Sequence, residues 1–308
     1  MSAGLIKYDV IIPLAKKDVK FVHWVVEYIR KNFLEAQTIY IITNAVLFSK
    51  LRGLTKDGSC VLIDENKMIE GLSFSSIRNI LISKNQRSET TGWNFQQFLK
   101  MGFALTSYCK DYYLSWDSDT IPLTHIEFFK NGHPFFAKKK EYHERYFEVM
   151  KQVLNIDRQI DGSFIAEHMM FKASIMRELI DKIQSKSIGK AWYEILLDCT
   201  DVSKRDENIF SEFELYGNYC VSNFPNLYEF HDLKAFRHAG IIRGRHINNR
   251  LLRMLAYDIE MATFELYDSP FSMSHYTGQI RRIKEVFWGE KMTQWPSLIK
   301  KLIHNEPL

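Results

Sequence analysis

Short apolar runs that end in turn residues alternate with longer segments of helical periodicity through the first third of the chain. The runs YDVIIP, TIYIITN, CVLID and YYLSW are predicted as strands over residues 8–13, 38–44, 60–64 and 112–116. Residues 18–32, which lie between the first two runs, are predicted as a helix. This alternation is typical of parallel βαβ units. We therefore expect an α/β fold built on such units.

The segment before the fourth strand, residues 94–109, carries apolar residues at helical spacing. They are Phe95, Phe98, Leu99 and Phe103. One face of this helix is therefore expected to lie buried beneath the sheet. The same spacing leaves Gln96, Gln97 and Lys100 partly exposed.

The pattern changes after Pro122. Predicted strands cover residues 134–138, 163–166 and a short stretch within 217–225, and predicted helices cover residues 141–154 and 170–184. The chain then becomes basic and helical, so we predict a main domain over residues 1–240 and a helical C-terminal extension over residues 241–308. The last part of that extension, residues 288–303, mixes tryptophans and aliphatic residues with lysines. Such a segment docks against the core, against a partner or on a membrane surface.

The composition is that of a globular protein, because 46% of the 308 residues are hydrophobic and 25% are charged. The cysteines are far apart and form no Cys-x-x-Cys pair, which argues against a zinc site and against a disulfide scaffold. The N-terminal apolar run is interrupted by Asp9 and ends at Pro13, unlike a secretory signal. We expect a cytoplasmic location, with any membrane contact peripheral and at the inner face of the cytoplasmic membrane.

The formal net charge of +4 lacks the strong basic bias of a protein that binds duplexes, so no nucleic-acid partner is expected. Two local clusters are basic. They comprise Lys138, Lys139 and Lys140, and Arg237, Arg243, Arg245 and Arg250. Each cluster is a candidate contact for the phosphates of a nucleotide or an anionic lipid, and ordinary solvated surface is the alternative.

Asp117 and Asp119 follow the fourth predicted strand directly. Residues two apart in an extended chain point to the same side, so two carboxylates placed in this way can share one divalent cation. Like charges so close together repel each other unless a cation or shared protons compensate, which favours a ligand. A pair of acidic turn residues that cap the next element is the alternative.

Three other predicted strands also end in residues that can face a ligand: Pro13, Asn44 and Asp64. In doubly wound sheets, ligands bind beyond the carboxyl ends of the strands. We therefore expect these residues and Asp117 to converge on one crevice.

The order of these strands, with a helix bearing Gln97 and Lys100 before Asp117, resembles the nucleotide-sugar domain of GT-A glycosyltransferases. The segments TGWNFQQFLK, LSWDSDTIPL, GSFIAEHMMF and FSEFELYGNY resemble a poorly characterised family of bacterial GT-A-type enzymes of surface polysaccharide synthesis. The similarity spans about residues 5–240 and weakens beyond them. It implies a GT-A-like α/β fold, with a Rossmann-type mixed sheet flanked by helices. It also implies transfer of a monosaccharide from a nucleoside-diphosphate sugar, with a UDP-sugar favoured, to a saccharide or lipid-linked acceptor of a lipopolysaccharide or capsule.

The resemblance also implies a metal site. In this type of enzyme the Asp-x-Asp pair contacts Mn²⁺ or Mg²⁺ on the donor diphosphate, which transfers that role to Asp117 and Asp119, with Ser118 between them. A hard cation stabilises the negative charge that grows on the departing diphosphate. His238 adds a metal or phosphate contact in this scheme and is favoured over His231, because Arg237 lies beside it; a neutral core imidazole is the alternative for both.

An inverting mechanism, which we expect, needs a carboxylate to accept the proton of the acceptor hydroxyl. The resemblance places this residue at the start of an acceptor-side helix, where Glu212 is favoured and Glu214 is second. Asp206 and Glu207 are rivals, and capping of a helix is the structural alternative for all four.

Other residues are candidates for sugar or nucleotide contacts. Trp93, Gln97 and Lys100 are assigned to the donor, and Ser163, Glu167 and His168 to the acceptor. Glu167 and His168 are expected on a strand, where they point to opposite faces, so that only one of them looks into the crevice.

Three other functions stay open. A haloacid-dehalogenase-like phosphatase also uses Asp-x-Asp, but it expects Thr or Val where this chain has Ile121. A nucleotidyltransferase prefers a glycine-rich phosphate loop, and residues 11–18 contain no glycine, although Lys16 and Lys17 could contact phosphate. A protein that binds nucleotides or carbohydrates without turnover can keep the same fold.

Overall fold

The computed structural model describes residues 6–140, 142–199 and 210–268. The strands of these residues are β1 (Tyr8–Pro13), β2 (Ala36–Thr43), β3 (Cys60–Asp64), β4 (Tyr112–Trp116), β5 (Thr120–Pro122), β6 (Phe129–Lys130), β7 (His133–Ala137), β8 (His168–Lys172), β9 (Glu229–His231), β10 (Ala235–Phe236) and β11 (Met261–Thr263). The α-helices are α1 (Val22–Asn32), α2 (Phe48–Leu51), α3 (Phe74–Ser83), α4 (Thr91–Gly102), α5 (Glu144–Leu154), α6 (Ala173–Gln184), α7 (Trp192–Asp198), α8 (Glu212–Asn223), α9 (Gly240–Arg243) and α10 (Asn249–Leu255).

The described residues form two compact units. The first unit comprises those of 6–19, 35–117 and 127–232, and the second those of 20–34, 118–126 and 233–268. The predicted division of the chain at residue 240 stays a prediction, and most of the predicted C-terminal extension, residues 269–308, lies outside the described residues.

The first unit is built on a five-stranded sheet with the order β3-β2-β1-β4-β8. β1 to β4 are parallel, and β8 runs antiparallel to β4 at the edge. β1 and β4 are buried along their whole length, which explains why their sequences read as almost continuous apolar runs. The predicted mixed α/β fold is confirmed, and β1, β3 and β4 have the predicted bounds.

A second, smaller sheet of the first unit has the order β6-β7-β9. Its core contact is made by Phe136 of β7, whose ring stacks on that of Tyr228 at 3.8 Å between centroids. The Tyr228 hydroxyl group lies 2.6 Å from that of Tyr216 on α8. This aromatic group joins the small sheet to the helix.

The second unit has a three-stranded sheet with the order β10-β11-β5. β5 runs antiparallel to β11, and the hydroxyl groups of Thr120 and Thr263 lie 2.8 Å apart across this pair. α1 packs against β5, where the Asn32 side chain donates to the Pro122 carbonyl at 2.7 Å. The strands of this sheet were not predicted, because they are only two or three residues long and carry no clear alternation.

α4 differs from the prediction. Phe95, Phe98 and Leu99 are buried as expected, but Gln97 and Lys100 are buried as well. The prediction that they are partly exposed is wrong because α8 contacts α4, so that the polar face of α4 is covered too. A buried lysine requires a partner of opposite charge, and the structure supplies two.

Three predicted elements are wrong in type. Residues 163–166 form no strand; the strand begins at His168 and includes residues 170–172, which were predicted as helical. The predicted strand within residues 217–225 is part of α8. Gly217 made this helix hard to predict, and it is required there: a Cβ atom at this position would lie 2.3 Å from Cγ of Phe164.

The region after residue 225 was predicted as helical and contains three strands in addition to short helices.

The structure also bears on membrane insertion. Within the described ranges, no helix combines the length and the hydropathy that are needed to cross a bilayer.

Candidate active site

The carboxyl ends of the four parallel strands lie at one end of the five-stranded sheet, which we call the carboxyl edge of the sheet. Pro13 ends β1, Asn44 follows β2, Asp64 ends β3 and Asp117 follows β4. Because β1 to β4 are parallel neighbours, these positions lie at the same end of the sheet. Their convergence on one crevice stays a prediction. The antiparallel strand β8 begins at the same edge, since the Asp117 amide donates to the Glu167 carbonyl at 3.0 Å.

Asp117 contacts a buried ionic cluster. Nζ of Lys100, on α4, lies 3.2 Å from Oδ1 of Asp117 and 3.0 Å from Oε1 of Glu212, on α8. The Lys100 side chain is 4% exposed and that of Glu212 2%, whereas that of Asp117 is 30% exposed. Lys100 and Glu212 are therefore the buried members of the cluster, and Asp117 is its partly exposed member.

The surroundings of Lys100 stabilise its charge. Burial by itself would lower the pKa of Lys100, but the charges of Asp117 and Glu212 outweigh burial and raise it above its ordinary value. Nζ also lies 4.4 Å from the ring centroid of Phe213, in cation–π geometry. The Tyr113 hydroxyl group donates to the Lys100 carbonyl at 3.0 Å and ties α4 to β4.

Glu212 is the first residue of α8, and Ser211 caps this helix by accepting from the Glu214 amide. Burial raises the pKa of Glu212, and the charge of Lys100 opposes that effect. The Gln97 side-chain amide lies against the Glu212 carboxylate. It donates a hydrogen bond to this carboxylate in the orientation that places the amide nitrogen, rather than the oxygen, next to Glu212. Glu212 is thus held by two residues of α4.

Glu214 has a different role from Glu212. Its Oε1 accepts from the Ser163 hydroxyl group and from the Phe164 amide, and its Oε2 accepts from the Asn218 side chain at 3.0 Å. Burial raises the pKa of Glu214, and these hydrogen bonds oppose that effect. The side chain fixes the segment before β8 to α8.

Glu167 and His168 lie where β8 begins, with Glu167 just before the strand. Oε2 of Glu167 is 3.7 Å from Nζ of Lys139. The His168 ring packs on Trp116 with 5.2 Å between centroids, and burial lowers the pKa of His168 to about 4, so the imidazole is neutral at pH 7. Both side chains are buried, and their predicted contact with an acceptor stays a prediction.

Glu65 belongs to the same edge and was not predicted. It follows Asp64, and burial together with the Asp64 charge raises the pKa of Glu65 to about 7, although a hydrogen bond with Asn44 lowers it. Its position directly after a predicted strand was the signal that could have identified it.

Asp119 belongs to the second unit. It precedes β5, and its carbonyl oxygen accepts from the Phe264 amide at 2.9 Å. Its Oδ2 lies 3.8 Å from Nη2 of Arg245, and Nε of Arg245 donates to the Phe264 carbonyl at 2.9 Å. The sequence had placed Arg245 in a basic cluster without a partner, and the structure gives it a carboxylate.

His238 follows β10 in the second unit, and its Nδ1 lies 3.1 Å from Oδ1 of Asp268. β10 is parallel to β11, and β5 is antiparallel to both, so His238 and Asp119 share one edge of this three-stranded sheet. No motif in the sequence pointed to Asp268.

The surroundings of three further candidates differ from one another. Trp93 is 37% exposed on the first turn of α4, Ser118 is buried, and His231 packs on Phe135 with 5.0 Å between centroids. Asp206 and Glu207 lie outside the described residues. In the described part of the chain, no three or more His, Cys, Asp or Glu side chains are grouped in a way that could hold a metal ion.

Comparisons with known proteins give one match in sequence and several in structure. Residues 8–249 match the profile of a family of unknown function, DUF6492. No curated protein matches the chain.

The similar solved structures include three glycosyltransferases. The apo form of mouse xyloside xylosyltransferase 1 has a TM-score of 0.48 and 13% identity over 87% of this chain and 100% of that chain. The galactosyltransferase LgtC with donor and acceptor sugar analogues has a TM-score of 0.45 and 11% identity, over 90% and 94%. The apo-form glycosyltransferase GlyE of Streptococcus pneumoniae TIGR4 has a TM-score of 0.39 and 13% identity, over 98% and 64%. At such scores and identities, the activity of this chain has to be argued from its own residues.

Proposed function

The chain belongs to this family of unknown function (DUF6492), and we propose that it is a metal-dependent glycosyltransferase. In this proposal it moves a monosaccharide from a nucleoside-diphosphate sugar, with a UDP-sugar favoured, to a saccharide or lipid-linked acceptor. The product belongs to a surface glycan of the lipopolysaccharide or capsule type, and the reaction inverts the anomeric centre.

One observation carries the proposal. Asp117, the first carboxylate of the Asp-x-Asp motif, lies at the carboxyl end of β4 and is anchored by a buried lysine that Glu212 also binds. Burying the charges of a lysine and a glutamate costs free energy unless the two are closely paired, so the presence of such a buried pair has to be explained. Fixing the orientation of a partly exposed carboxylate at a ligand-binding edge is such a reason.

The side-chain atoms that these residues offer as ligands suit Mn²⁺ or Mg²⁺. Asp117 and Asp119 are two residues apart in the chain and offer hard oxygen ligands, and His238 offers an imidazole nitrogen. Such cations are commonly bound by one or two carboxylates together with substrate phosphates, which does not require three grouped protein ligands. When bound, the ion stabilises negative charge on the departing diphosphate as a Lewis acid.

The other residues of the edge have roles in this scheme that follow from their positions. Pro13, Asn44 and Asp64 border the donor, as do Gln97 and Lys100 through the residues they hold. Glu167 and His168, at the start of β8, border the acceptor, as does Ser163 in the segment before that strand. These roles are proposals that rest on the shared edge of the sheet.

The general base is assigned to Glu212, with Glu214 as the alternative. A raised pKa suits a carboxylate that has to accept a proton near neutral pH. The three hydrogen bonds of Glu214 leave less of its carboxylate for this role, which supports Glu212.

The test is binding followed by turnover. The melting temperature of the purified protein is measured with UDP, with several UDP-sugars and with Mn²⁺, alone and combined. Ligands that bind only the folded state raise it, so UDP and Mn²⁺ together are expected to give a rise of several degrees. UDP released from the best donor is then quantified.

Asp117→Asn and Asp119→Ala are expected to abolish UDP release, and Asp111→Asn is the control, because Asp111 is exposed at the opposite end of β4. Release of inorganic phosphate from simple phosphoesters would instead support the phosphatase. If the protein binds the donor tightly but releases UDP with none of the acceptors tested, it is a non-catalytic binding protein. A melting temperature that does not respond to nucleotides or metal would contradict the proposal.

A further inference from the structure

Asp268 is the centre of a small hydrogen-bonded network in the second unit. Its Oδ1 lies 3.1 Å from Nδ1 of His238, and its Oδ2 accepts from the amides of Gly240 and Glu265 at 3.2 Å each. Its side chain is 3% exposed, whereas that of His238 is 30% exposed. A buried carboxylate therefore supports a histidine that reaches the surface.

The backbone is shaped to accept this carboxylate. A Cβ atom at position 240 would lie 2.6 Å from Cβ and 2.7 Å from Oδ2 of Asp268, so only glycine allows the approach. Gly240 and His238 are two residues apart, and both contact the same carboxylate. The turn after β10 is thus built around Asp268.

The network determines the tautomer of His238. An ionised carboxylate only accepts hydrogen bonds, so Nδ1 of His238 has to carry the proton of their hydrogen bond. In a neutral imidazole, Nε2 is then the nitrogen with the lone pair, which is the form that ligates metals. The carboxylate also restricts rotation of the ring, so that Nε2 keeps one direction.

We propose that Asp268 is a positioning residue, which holds His238 with Nε2 ready to bind the divalent cation of the donor diphosphate. This inference rests on the proposed function. Histidines that bind metals usually donate their other ring N–H to a carboxylate or a carbonyl, and loss of that partner weakens metal binding 10- to 100-fold. Asp119 lies at the same end of the three-stranded sheet, just before β5, with β11 between β5 and the strand that His238 follows.

The first experiment measures the tautomer without any metal. The ¹⁵N chemical shifts of the imidazole are recorded at pH 8, and His238→Gln assigns the signals. In the wild type, Nδ1 is expected to be protonated and Nε2 unprotonated; Asp268→Ala should remove this preference. A wild-type His238 that carries its proton on Nε2 overturns the inference, whatever the activity of the protein is.

The second experiment measures Mn²⁺ affinity by electron paramagnetic resonance in the presence of UDP. Asp268→Ala and Asp268→Asn are expected to weaken it 10- to 100-fold. Asp268→Ala in the His238→Gln background should weaken it no further, because the carboxylate acts only through that ring. Glu260→Gln is the matched control: this carboxylate, just before β11, also accepts a backbone amide, that of Lys234 at 2.9 Å, and its loss should leave Mn²⁺ affinity unchanged.

The outcomes separate the inference from the proposed function. Unchanged Mn²⁺ affinity in a folded Asp268 variant whose tautomer has changed overturns the inference and leaves the glycosyltransferase proposal intact. A wild-type protein that holds the Nδ1–H tautomer but binds neither UDP nor Mn²⁺ overturns the proposed function and, with it, the role of Asp268 towards metal. If the Asp268 variants do not fold, Gly240→Ala displaces the carboxylate by steric contact and is expected to give the same two changes.

Discussion

Lys100 and Glu212 form an ion pair of 3.0 Å in which both side chains are almost completely buried. The two residues are 112 positions apart and come from α4 and α8. Their pairing anchors Asp117, because the same Nζ lies 3.2 Å from that carboxylate. Stability and the candidate active site therefore depend on one buried cation.

Replacement of Lys100 by methionine is expected to destabilise the protein by about 3–5 kcal/mol, because two carboxylates lose their counter-ion while one of them stays buried. The measurement is urea denaturation followed by circular dichroism. The control is Lys151→Met, which breaks an exposed pair with Asp157 and should cost about 1 kcal/mol or less. A Lys100→Met protein as stable as the wild type would show that the pair contributes no net stability and would weaken the anchoring argument for Asp117.

The pH dependence of stability should report on His168. Its pKa falls from 6.5 to about 4 on folding, mainly because of burial. Between these values the unfolded chain binds more protons than the folded one, so the free energy of unfolding should fall as the pH decreases from 6.5 to 4. The shift corresponds to about 3 kcal/mol.

His168→Phe should remove this part of the pH dependence, as measured by urea denaturation at pH 4.5 and pH 7.5. His23→Phe is the control, because His23 is exposed on α1. Equal pH dependence in the wild type and in His168→Phe would mean that the pKa of His168 is the same in the folded and unfolded states, which would contradict the prediction.

The sequence predicted the parallel part of the fold well because its signals are local. β1, β3 and β4 are short apolar runs that end in turn residues, and such runs identify buried parallel strands without any partner in view. The shared edge of Pro13, Asn44, Asp64 and Asp117 then follows from parallel order alone.

The errors come from contacts between distant parts of the chain. Lys100 was expected to be partly exposed because periodicity on one helix does not show that a second helix covers its polar face. The stretch that begins at Gly217 was predicted to hold a strand, although Gly217 lies within α8 at the point where Phe164 packs against that helix. Asp268 has no motif, since its importance depends on His238, which is 30 positions away.

Gly217→Ala is expected to destabilise the protein by about 1–3 kcal/mol, because the added methyl group would overlap the Phe164 ring. Gly92→Ala is the matched control: this glycine is also in a helix, but nothing lies within 4 Å of the added Cβ. That variant should be neutral or more stable by up to about 1 kcal/mol, since alanine favours helices. Thermal denaturation of both variants distinguishes steric overlap from helix propensity, and a Gly217→Ala protein of unchanged stability would contradict the tight packing.

Glu212→Gln and Glu214→Gln distinguish a chemical role from a structural one. If Glu212 is the base, Glu212→Gln should lower kcat for sugar transfer by about 10²–10⁴-fold and leave the affinity for UDP and Mn²⁺ nearly unchanged. Glu214→Gln should instead lower the melting temperature and raise KM for the acceptor, because Ser163 and Phe164 lose a charged hydrogen-bond acceptor.

The anchoring role of Glu212 makes a different prediction from the role of base. If Glu212 serves only as the counter-ion of Lys100, Glu212→Gln should weaken Mn²⁺ binding through Asp117 and lower kcat for transfer and for donor hydrolysis by water to the same extent. A base for the acceptor hydroxyl should affect transfer far more than hydrolysis, because water is activated independently of the acceptor. The measurement is therefore the ratio of the transfer rate to the hydrolysis rate in Glu212→Gln. Lys100→Met, which removes the ion pair but keeps Glu212, shows how this ratio changes when only the anchoring is lost. Equal losses of both rates in Glu212→Gln would exclude Glu212 as the base.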